Sequence, residues 1–244
     1  MTQRARFFVE GTHRCGDTVA FAGSDAHKIR DVLRMKTGDA VEIFDSAATS
    51  FRACVQIAER SVTARLDEIV AVRSAPQVAI TVAQGVPKGQ KMDYVVEKLT
   101  ELGVAAIIPL LSEHAVVREV PPAKLERWRR LARTAAQQCG RSDVPNVPVP
   151  LDFESLLAAF PSFDAVLLAW ELAAGDAPRD RLPALLEGAR SILVIVGPEG
   201  GISHREAGLA AGAGAHPVSL GGRILRTETA GLVAVSIIGY VLGL

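Results

Sequence analysis

The sequence is poor in cysteine and has no excess of charge of either sign. Its three cysteines, Cys15, Cys54 and Cys139, form neither a Cys-x-x-Cys pair nor a Cys/His cluster with metal-ligand spacing. We therefore expect free thiols in a reducing cytosol and no metal site. The 27 basic and 27 acidic residues give a formal net charge of zero. A nucleic-acid partner would therefore have to be recognised by local basic patches.

Long hydrophobic runs and the common nucleotide fingerprints are also missing. Residues 1–6 lack the apolar core of a signal peptide, which predicts a cytoplasmic protein. The apolar run 230–244 is shorter than the roughly 18 residues of a membrane span. We expect a buried helix there and no membrane partner. Neither Gly-x-Gly-x-x-Gly nor a Walker-type Gly-Lys-Ser/Thr occurs, which argues against nicotinamide oxidoreductases and NTPases.

Patterning divides the 244 residues into two predicted domains, 1–73 and 78–244. The first has one helical pattern, between Asp25 and Met35, and several short strand-like segments, which suggest a small β-barrel. These segments are 7–9, 18–21, 40–45, 51–57 and 62–72. Residues 73–77 have the composition of a linker.

Strand and helix patterns alternate after the linker. Apolar residues at helical spacing predict a helix from Met92 to Leu102 that stops at Gly103, and Pro122 suits the first turn of the next helix. Ser203 and Glu206 form a capping box for a later helix. The predicted strands are 78–86, 104–111, 163–170 and 190–196, with 144–149 irregular or at an edge. This alternation predicts a largely parallel α/β sheet.

Two glycine-bearing turns stand out in the last quarter of the chain. The first, Gly197-Pro-Glu-Gly-Gly201, follows a buried-type strand, and the second lies in Leu220–Ala230 before the apolar helix. Such turns can lie side by side at one end of a parallel sheet, where open α/β proteins bind ligands. An isolated glycine turn is equally compatible with an ordinary strand-to-helix connection. Arg226, in the second turn, is either solvated or faces an anionic partner, and Glu228 suits a helix start.

These motifs closely resemble the signature of the RsmE family, bacterial 16S ribosomal RNA uridine-N3 methyltransferases of the SPOUT superfamily. The similarity extends to segments 6–8, 27–34, 98–104 and 138–145 and to Trp128. It implies a SPOUT-type parallel-sheet domain with a C-terminal trefoil knot, a PUA-like N-terminal barrel for RNA, and a homodimer that binds S-adenosylmethionine (SAM). Two positions depart from the family pattern, His114 for the usual Arg and Gln137 for the usual Glu.

The resemblance also implies which residues hold the donor, mainly main-chain atoms of the two turns. The expected donor-binding residues are Leu168, Trp170, Val196, Gly197, Pro198, Glu199, Gly200, Gly201, Leu220, Gly221, Ile224, Leu225 and Thr229. Uracil N3 must lose its proton before methylation, and cations near O2 or O4 would stabilise the developing anion. Arg226 and Arg141 are the candidate cations, and Glu228, Glu113 or water is the candidate proton acceptor.

Basic residues on the small domain and after Lys124 are candidate RNA contacts. Between Lys124 and Arg141 the chain has six basic residues and one acidic residue, which is compatible with phosphate binding or with a solvated helix face. The expected RNA-binding residues are Arg6, His27, Lys28, Arg30, Arg34, Lys36, Arg127 and Arg130. Two alternatives stay open: a SPOUT enzyme for another RNA, such as a transfer RNA ribose 2′-O-methyltransferase, and a non-catalytic RNA-binding assembly factor.

Overall fold

The structure, a computed structural model, describes residues 4–59, 61–72, 77–172 and 178–244. The chain divides into two compact units, Met1–Ala75 with Ala136–Val144, and Pro76–Ala135 with Pro145–Leu244. Apart from Gln77, the expected linker 73–77 lies outside the described residues. The domain limits 1–73 and 78–244 stay a prediction.

The first unit contains a five-stranded sheet. Its strands are β1 (Arg6–Val9), β2 (Thr18–Phe21), β3 (Ala40–Asp45), β4 (Thr49–Ile57) and β5 (Val62–Val72), in the order β1-β3-β4-β5-β2. β1 and β3 are parallel and the other pairs antiparallel. A short helix, α1 (Gly23–His27), continues into a π-helical turn, Lys28–Val32, whose Ile29 is fully buried. Phe7, Phe51 and Leu66 anchor the core.

The second unit is an α/β fold in which every strand pairing is parallel. Its strands are β6 (Ala79–Gly85), β7 (Ala106–Leu111), β8 (Leu151–Asp152), β9 (Ala165–Ala169), β10 (Ser191–Val196) and β11 (His216–Val218), in the order β11-β9-β10-β6-β7-β8. Its helices are α2 (Lys91–Glu101), α3 (Pro122–Cys139), α4 (Phe153–Ala158), α5 (Pro178–Leu185), α6 (His204–Gly212) and α7 (Thr227–Leu242), although the last residues of α3, from Ala136, belong to the first unit. The carboxyl ends of β9 and β10 are therefore neighbours, which confirms the expected parallel sheet.

Local sequence signals account for most of these element ends. α2 buries the stripe that its spacing predicts except for Leu102, which is 42% exposed. Gly103 just beyond it has φ +87°, which favours glycine. The capping box at the start of α6 is formed, because Ser203 Oγ accepts from Glu206 N and the Glu206 carboxylate accepts from Ser203 N. The sequence did not predict α4, α5 or β11. Among the described residues, the structure contains no helix with the length and hydropathy needed to span a bilayer.

α7 corrects one expectation. The sequence predicts a buried helix, yet only one side of it, with Ala234, Val235 and Ile238, is buried. Tyr240 is 89% exposed although its neighbours are apolar. The sequence of α7 has no polar face to mark the exposed side, so its pattern could not reveal which side faces outward.

Candidate functional site

The first glycine turn, residues 197–201, follows β10 and passes very close to β6. A Cβ placed on Gly85 would lie 2.6 Å from the carbonyl carbon of Gly197 and closer still to Pro198 N. Only glycine at position 85 allows the two main chains to cross there. A Cβ on Gly200 would lie 2.9 Å from His114 Cβ, and Gly201 has φ +72°. The turn is therefore held in shape by backbone contacts.

The second turn connects β11 to α7 and includes Gly221, whose φ is +121°. A buried hydrogen-bond chain joins the start of α7 to the first turn. Gln84 Nε2 donates to Thr227 Oγ1 at 2.8 Å, and Thr227 Oγ1 donates to the Gly197 carbonyl at 2.5 Å. A Cβ on Gly231 would lie 3.1 Å from Gln84 Oε1, so α7 packs directly on β6. These contacts place the two turns beside each other.

Two adjoining cavities lie at the turns: the smaller, about 280 Å³, is lined by the second turn, and the larger, about 390 Å³, by both turns. The residues that line both are Ala169, Glu171, Ile224, Leu225 and Ala230. Together the cavities fall in the range of about 300–1,000 Å³ that is usual for small-ligand sites. The cleft lies at the carboxyl ends of β9 and β10, as expected for an open parallel sheet.

Lys91, at the start of α2, links the two turns electrostatically. Its Nζ lies 3.3 Å from Glu199 Oε1 in the first turn and 3.5 Å from Glu228 Oε2 in α7. All three residues line the larger cavity. Burial raises the pKa of the Glu199 carboxyl, but hydrogen bonds from its own backbone, from Lys91 and from Lys88 N outweigh this effect and hold that pKa below its usual value. No local sequence pattern marks Lys91 as a site residue.

The candidate catalytic residues have different surroundings. Arg226 lines the larger cavity and has no hydrogen-bond or ion-pair partner for its side chain within the described ranges. Glu228 lines the same cavity. Arg141 is buried in the first unit, where its Nη2 lies 2.6 Å from Asp143 Oδ2. Glu113 accepts from Ser203 Oγ at 2.9 Å and from Arg205 Nε at 3.2 Å.

These contacts distinguish the two candidate proton acceptors. Hydrogen bonds from Ser203 and Arg205 hold the pKa of the Glu113 carboxyl below its usual value, which makes it a weaker base. Glu228 Oε2 is buried and has no hydrogen bond among the described residues.

The cleft contains nearly all of the expected donor-binding residues. The two outside its lining are Leu168, which is fully buried in the core, and Thr229, in the first turn of α7. Further lining residues depend on tertiary contacts and were not expected from the sequence: Lys91, Ala169, Glu171, Ile202, Ser219, Gly222, Arg223, Thr227 and Ala230.

Several of the expected RNA contacts are engaged within their own unit. The guanidinium of Arg6 is largely buried, pairs with Glu42 at 2.9 Å and lies over the Phe44 ring. Arg30 donates to the carbonyls of Ala58 and Ser61.

The remaining expected RNA contacts differ in whether their side chains already have a partner within the protein. His27 contacts Asp31, and Arg127 contacts Asp93, each at 2.6 Å. Lys28 Nζ lies over the Phe7 ring. The side chains with no hydrogen bond, ion pair or ring contact in the part of the chain that the structure describes are Arg34, Lys36 and Arg130.

The cleft suits a ligand recognised mainly through hydrogen bonds. Trp170, which lines the smaller cavity, has a buried Nε1 with no hydrogen-bond partner among the described residues. Within the same ranges, no group of three His, Cys, Asp or Glu side chains is arranged to hold a metal ion. The methyl donor that the resemblance implies fits these properties, because its base, ribose and amino acid all carry hydrogen-bonding groups.

Comparison with known proteins places this architecture in a family. Residues 73–239 match the family model of an RNA methyltransferase domain. The chain is 31% identical to ribosomal RNA small subunit methyltransferase E of Bacillus subtilis, over 96% of each chain. It is 34% identical to the protein of that name from Synechocystis, over 92% of this chain and 74% of the other.

A solved structure agrees with these relationships. Ribosomal RNA small subunit methyltransferase E from Neisseria gonorrhoeae, crystallised with S-adenosyl methionine, superimposes with a TM-score of 0.85 at 29% identity and covers 98% of both chains. The parallel sheet, the cleft between the turns and the matches over nearly the full length agree: the chain belongs to the RNA methyltransferase family that includes ribosomal RNA small subunit methyltransferase E.

Proposed function

We propose that the protein transfers a methyl group from SAM to N3 of a uridine in the 16S RNA of the small ribosomal subunit, in the cytoplasm. The observation that carries this proposal is the cleft, where two glycine turns meet at the carboxyl ends of the parallel strands. Arg226 lies in its wall and has no side-chain partner among the described residues. The relatives in Bacillus subtilis and Synechocystis bear the name of this activity, and the Neisseria relative was crystallised with SAM.

The turns bind and orient the donor. The bound donor supplies a methyl group on a positively charged sulfur, which is already an excellent leaving group. Main-chain atoms of 197–201 and 220–225 hold it without a strong negative charge at the reacting centre, so they do not over-stabilise the starting state. The main contribution of the protein is alignment of the nucleophile with the methyl group. Gly85 and Thr227 serve that alignment by holding the turns together.

Residues at the start of α7 act on the uridine. Arg226 stabilises the negative charge that develops on the uracil ring as N3 loses its proton. Glu228 accepts that proton, because it lines the same cavity as Arg226 and its Oε2, which lies 3.5 Å from Lys91 Nζ, accepts no hydrogen bond among the described residues. Glu113 is the weaker candidate, because its carboxylate is already held by Ser203 and Arg205. Arg141 remains the second candidate cation.

The finer fold assignments belong to the same proposal. We infer that the second unit is a SPOUT domain whose C-terminal segment, with α7, forms the trefoil knot. Its support is the strand order β11-β9-β10-β6-β7-β8 and the packing of α7 against α2, β6 and β10. The five-stranded sheet of the first unit is the candidate PUA-like barrel. Exposed Arg34 and Lys36 on that unit, and Arg130 on α3, are its best-placed RNA phosphate contacts.

We also infer that two copies of the chain associate through α7. Large apolar side chains are exposed on this helix and on α2, which packs against it: Tyr240 is 89% exposed and Tyr94 49%. Exposed apolar residues grouped on packed helices are typical of an interface between subunits. Sedimentation of the purified protein tests this, with Tyr240→Arg expected to give a monomer. A wild-type protein that sediments as a monomer at micromolar concentration contradicts it.

Mapping of N3-methyluridine in ribosomal RNA tests the activity. Cells that lack the protein should lose one such modification from 16S RNA, and the wild-type gene should restore it. Arg226→Ala should fail to restore it although the variant still binds SAM in calorimetry. Arg130→Ala, expected to affect RNA binding alone, serves as a variant that leaves the donor cleft intact.

Three outcomes would contradict the proposed activity or the proposed role of Arg226. Unchanged 16S RNA with a lost ribose methyl group in transfer RNA indicates a SPOUT enzyme of different substrate. Unchanged RNA in a strain with defective subunits, together with no SAM binding by the protein, indicates an assembly factor. Full restoration by Arg226→Ala removes that residue from the proposed mechanism.

A further inference from the structure

Glu171 occupies a central position in the cleft. It lies two residues beyond the end of β9 and lines both cavities. The other residues common to both cavities, Ala169, Ile224, Leu225 and Ala230, are uncharged. Glu171 is therefore the charged residue that borders both cavities within the described part of the chain.

The Glu171 carboxylate also rests on the first glycine turn. A Cβ placed on Gly201 would lie 2.9 Å from Glu171 Oε1, so glycine at 201 makes room for the carboxylate. Among the described residues Glu171 has no hydrogen bond or ion pair. The other carboxylates of the cleft, Glu199 and Glu228, share Lys91. Glu171 is thus a charged acceptor with two oxygens available to a ligand.

We propose that Glu171 holds the ribose of the methyl donor by accepting hydrogen bonds from its 2′- and 3′-hydroxyls. This assignment rests on the proposed function, since it requires SAM in the cleft. The ribose is the middle of that molecule, between the base and the amino acid, and Glu171 is at the junction of the two cavities. Two adjacent hydroxyls supply two donors for the two oxygens of a carboxylate, and such charge-assisted bonds are strong.

The geometry favours the ribose over the other polar parts of the donor. The sulfonium has no hydrogen to donate. The ammonium of the amino-acid end lies at one extremity of the molecule, whereas Glu171 borders both cavities. The ribose is unchanged by methyl transfer, so Glu171 binds donor and product equally. Such uniform binding lowers the KM for the donor and leaves kcat nearly unchanged.

Calorimetry with two ligands tests the assignment. S-adenosylhomocysteine carries both the ribose hydroxyls and the ammonium, whereas 5′-methylthioadenosine carries the same hydroxyls but no amino acid. Glu171→Gln should weaken the binding of both ligands by a similar factor, about 10- to 100-fold. Glu154→Gln, which removes an exposed carboxylate of the same unit outside the cleft lining, should change neither affinity. Both variants should melt at the wild-type temperature.

The alternatives give distinct results. If Glu171→Gln weakens the binding of S-adenosylhomocysteine but not of 5′-methylthioadenosine, Glu171 contacts the ammonium of the amino acid. That result overturns the ribose assignment. Unchanged affinity for both ligands overturns it completely, as does a variant whose kcat falls while its KM for SAM stays constant. If the unaltered protein binds neither ligand, the donor site itself is wrong, and the proposed function fails with it.

Discussion

Replacing Gly85 with alanine is the most direct test of the crossing between β6 and the first turn. The added methyl carbon would lie 2.6 Å from the carbonyl carbon of Gly197, whereas carbon atoms normally approach to about 3.5 Å. The turn would have to move by about 1 Å, and neither main chain can rotate away as a side chain could. Overpacking of this kind costs up to about 3 kcal/mol, and we expect a cost near that limit.

Thermal unfolding measures this cost. A loss of about 3 kcal/mol lowers the melting temperature by about 6–12 °C in a domain of this size. Gly208→Ala is the matched control, because Gly208 lies within α6 and a Cβ there meets nothing within 4 Å. Alanine is the better helix former by about 0.5–1 kcal/mol, so this control should raise the melting temperature.

Ligand binding separates a local effect from general instability. Gly85→Ala should bind S-adenosylhomocysteine at least about 10-fold more weakly at a temperature where the variant is folded, since the displaced turn forms the cleft wall. A Gly85→Ala variant that melts with the wild-type protein and binds the ligand normally would refute the close crossing and the role given to it.

Three further expectations follow from the contacts of the cleft and its sheet. Thr227→Val leaves Gln84 Nε2 and the Gly197 carbonyl without their hydrogen bonds to Thr227. It should lower the free energy of unfolding, measured by thermal unfolding, by about 1–3 kcal/mol, whereas Thr229→Val should lower it much less. Lys91→Met removes the cation shared by two carboxylates and should slow methyl transfer about 10-fold or more, while Lys91→Arg keeps most of the rate. Hydrogen bonds from the backbone of residue 190 and from residue 191 lower the pKa of Asp164, so its stabilisation is present above the unfolded-state pKa of about 3.9 and disappears as pH falls through the lower folded pKa. Melting temperatures of Asp164→Asn should therefore vary less between pH 5 and pH 2 than those of the wild type.

The sequence predicted those helices whose apolar spacing, capping residues or glycine stop lie within the helix or next to it. The spacing that starts at Met92 and the stop at Gly103 gave α2, and the Ser203 capping box gave α6, because these signals are short-range physics. The parallel sheet followed from the alternation of elements. α5 was missed, since Pro183 lies inside it and proline disfavours helix interiors.

The residues that depend on long-range contacts could not be found in this way. Gly85 lies within a strand and its φ is not positive, so only its crossing with a turn far along the chain explains the glycine. Lys91 and Glu171 gain their positions in the cleft from the packing of α2 and β9. Leu168 was expected in the wall of the cleft, but β9 is buried on both faces and its side chain lies in the core. Its part in donor binding stays a prediction.

The hydrogen bond between Gln84 and Thr227 has a consequence for how the molecule matures. It joins residues 143 positions apart, so the cleft is completed only after both residues and the chain between them have left the ribosome. Closing such a distant contact is slow compared with forming local helices. Until that step, the hydrogen bond that joins the two turns is absent. A ligand that binds only the finished cleft would draw folding to completion by mass action.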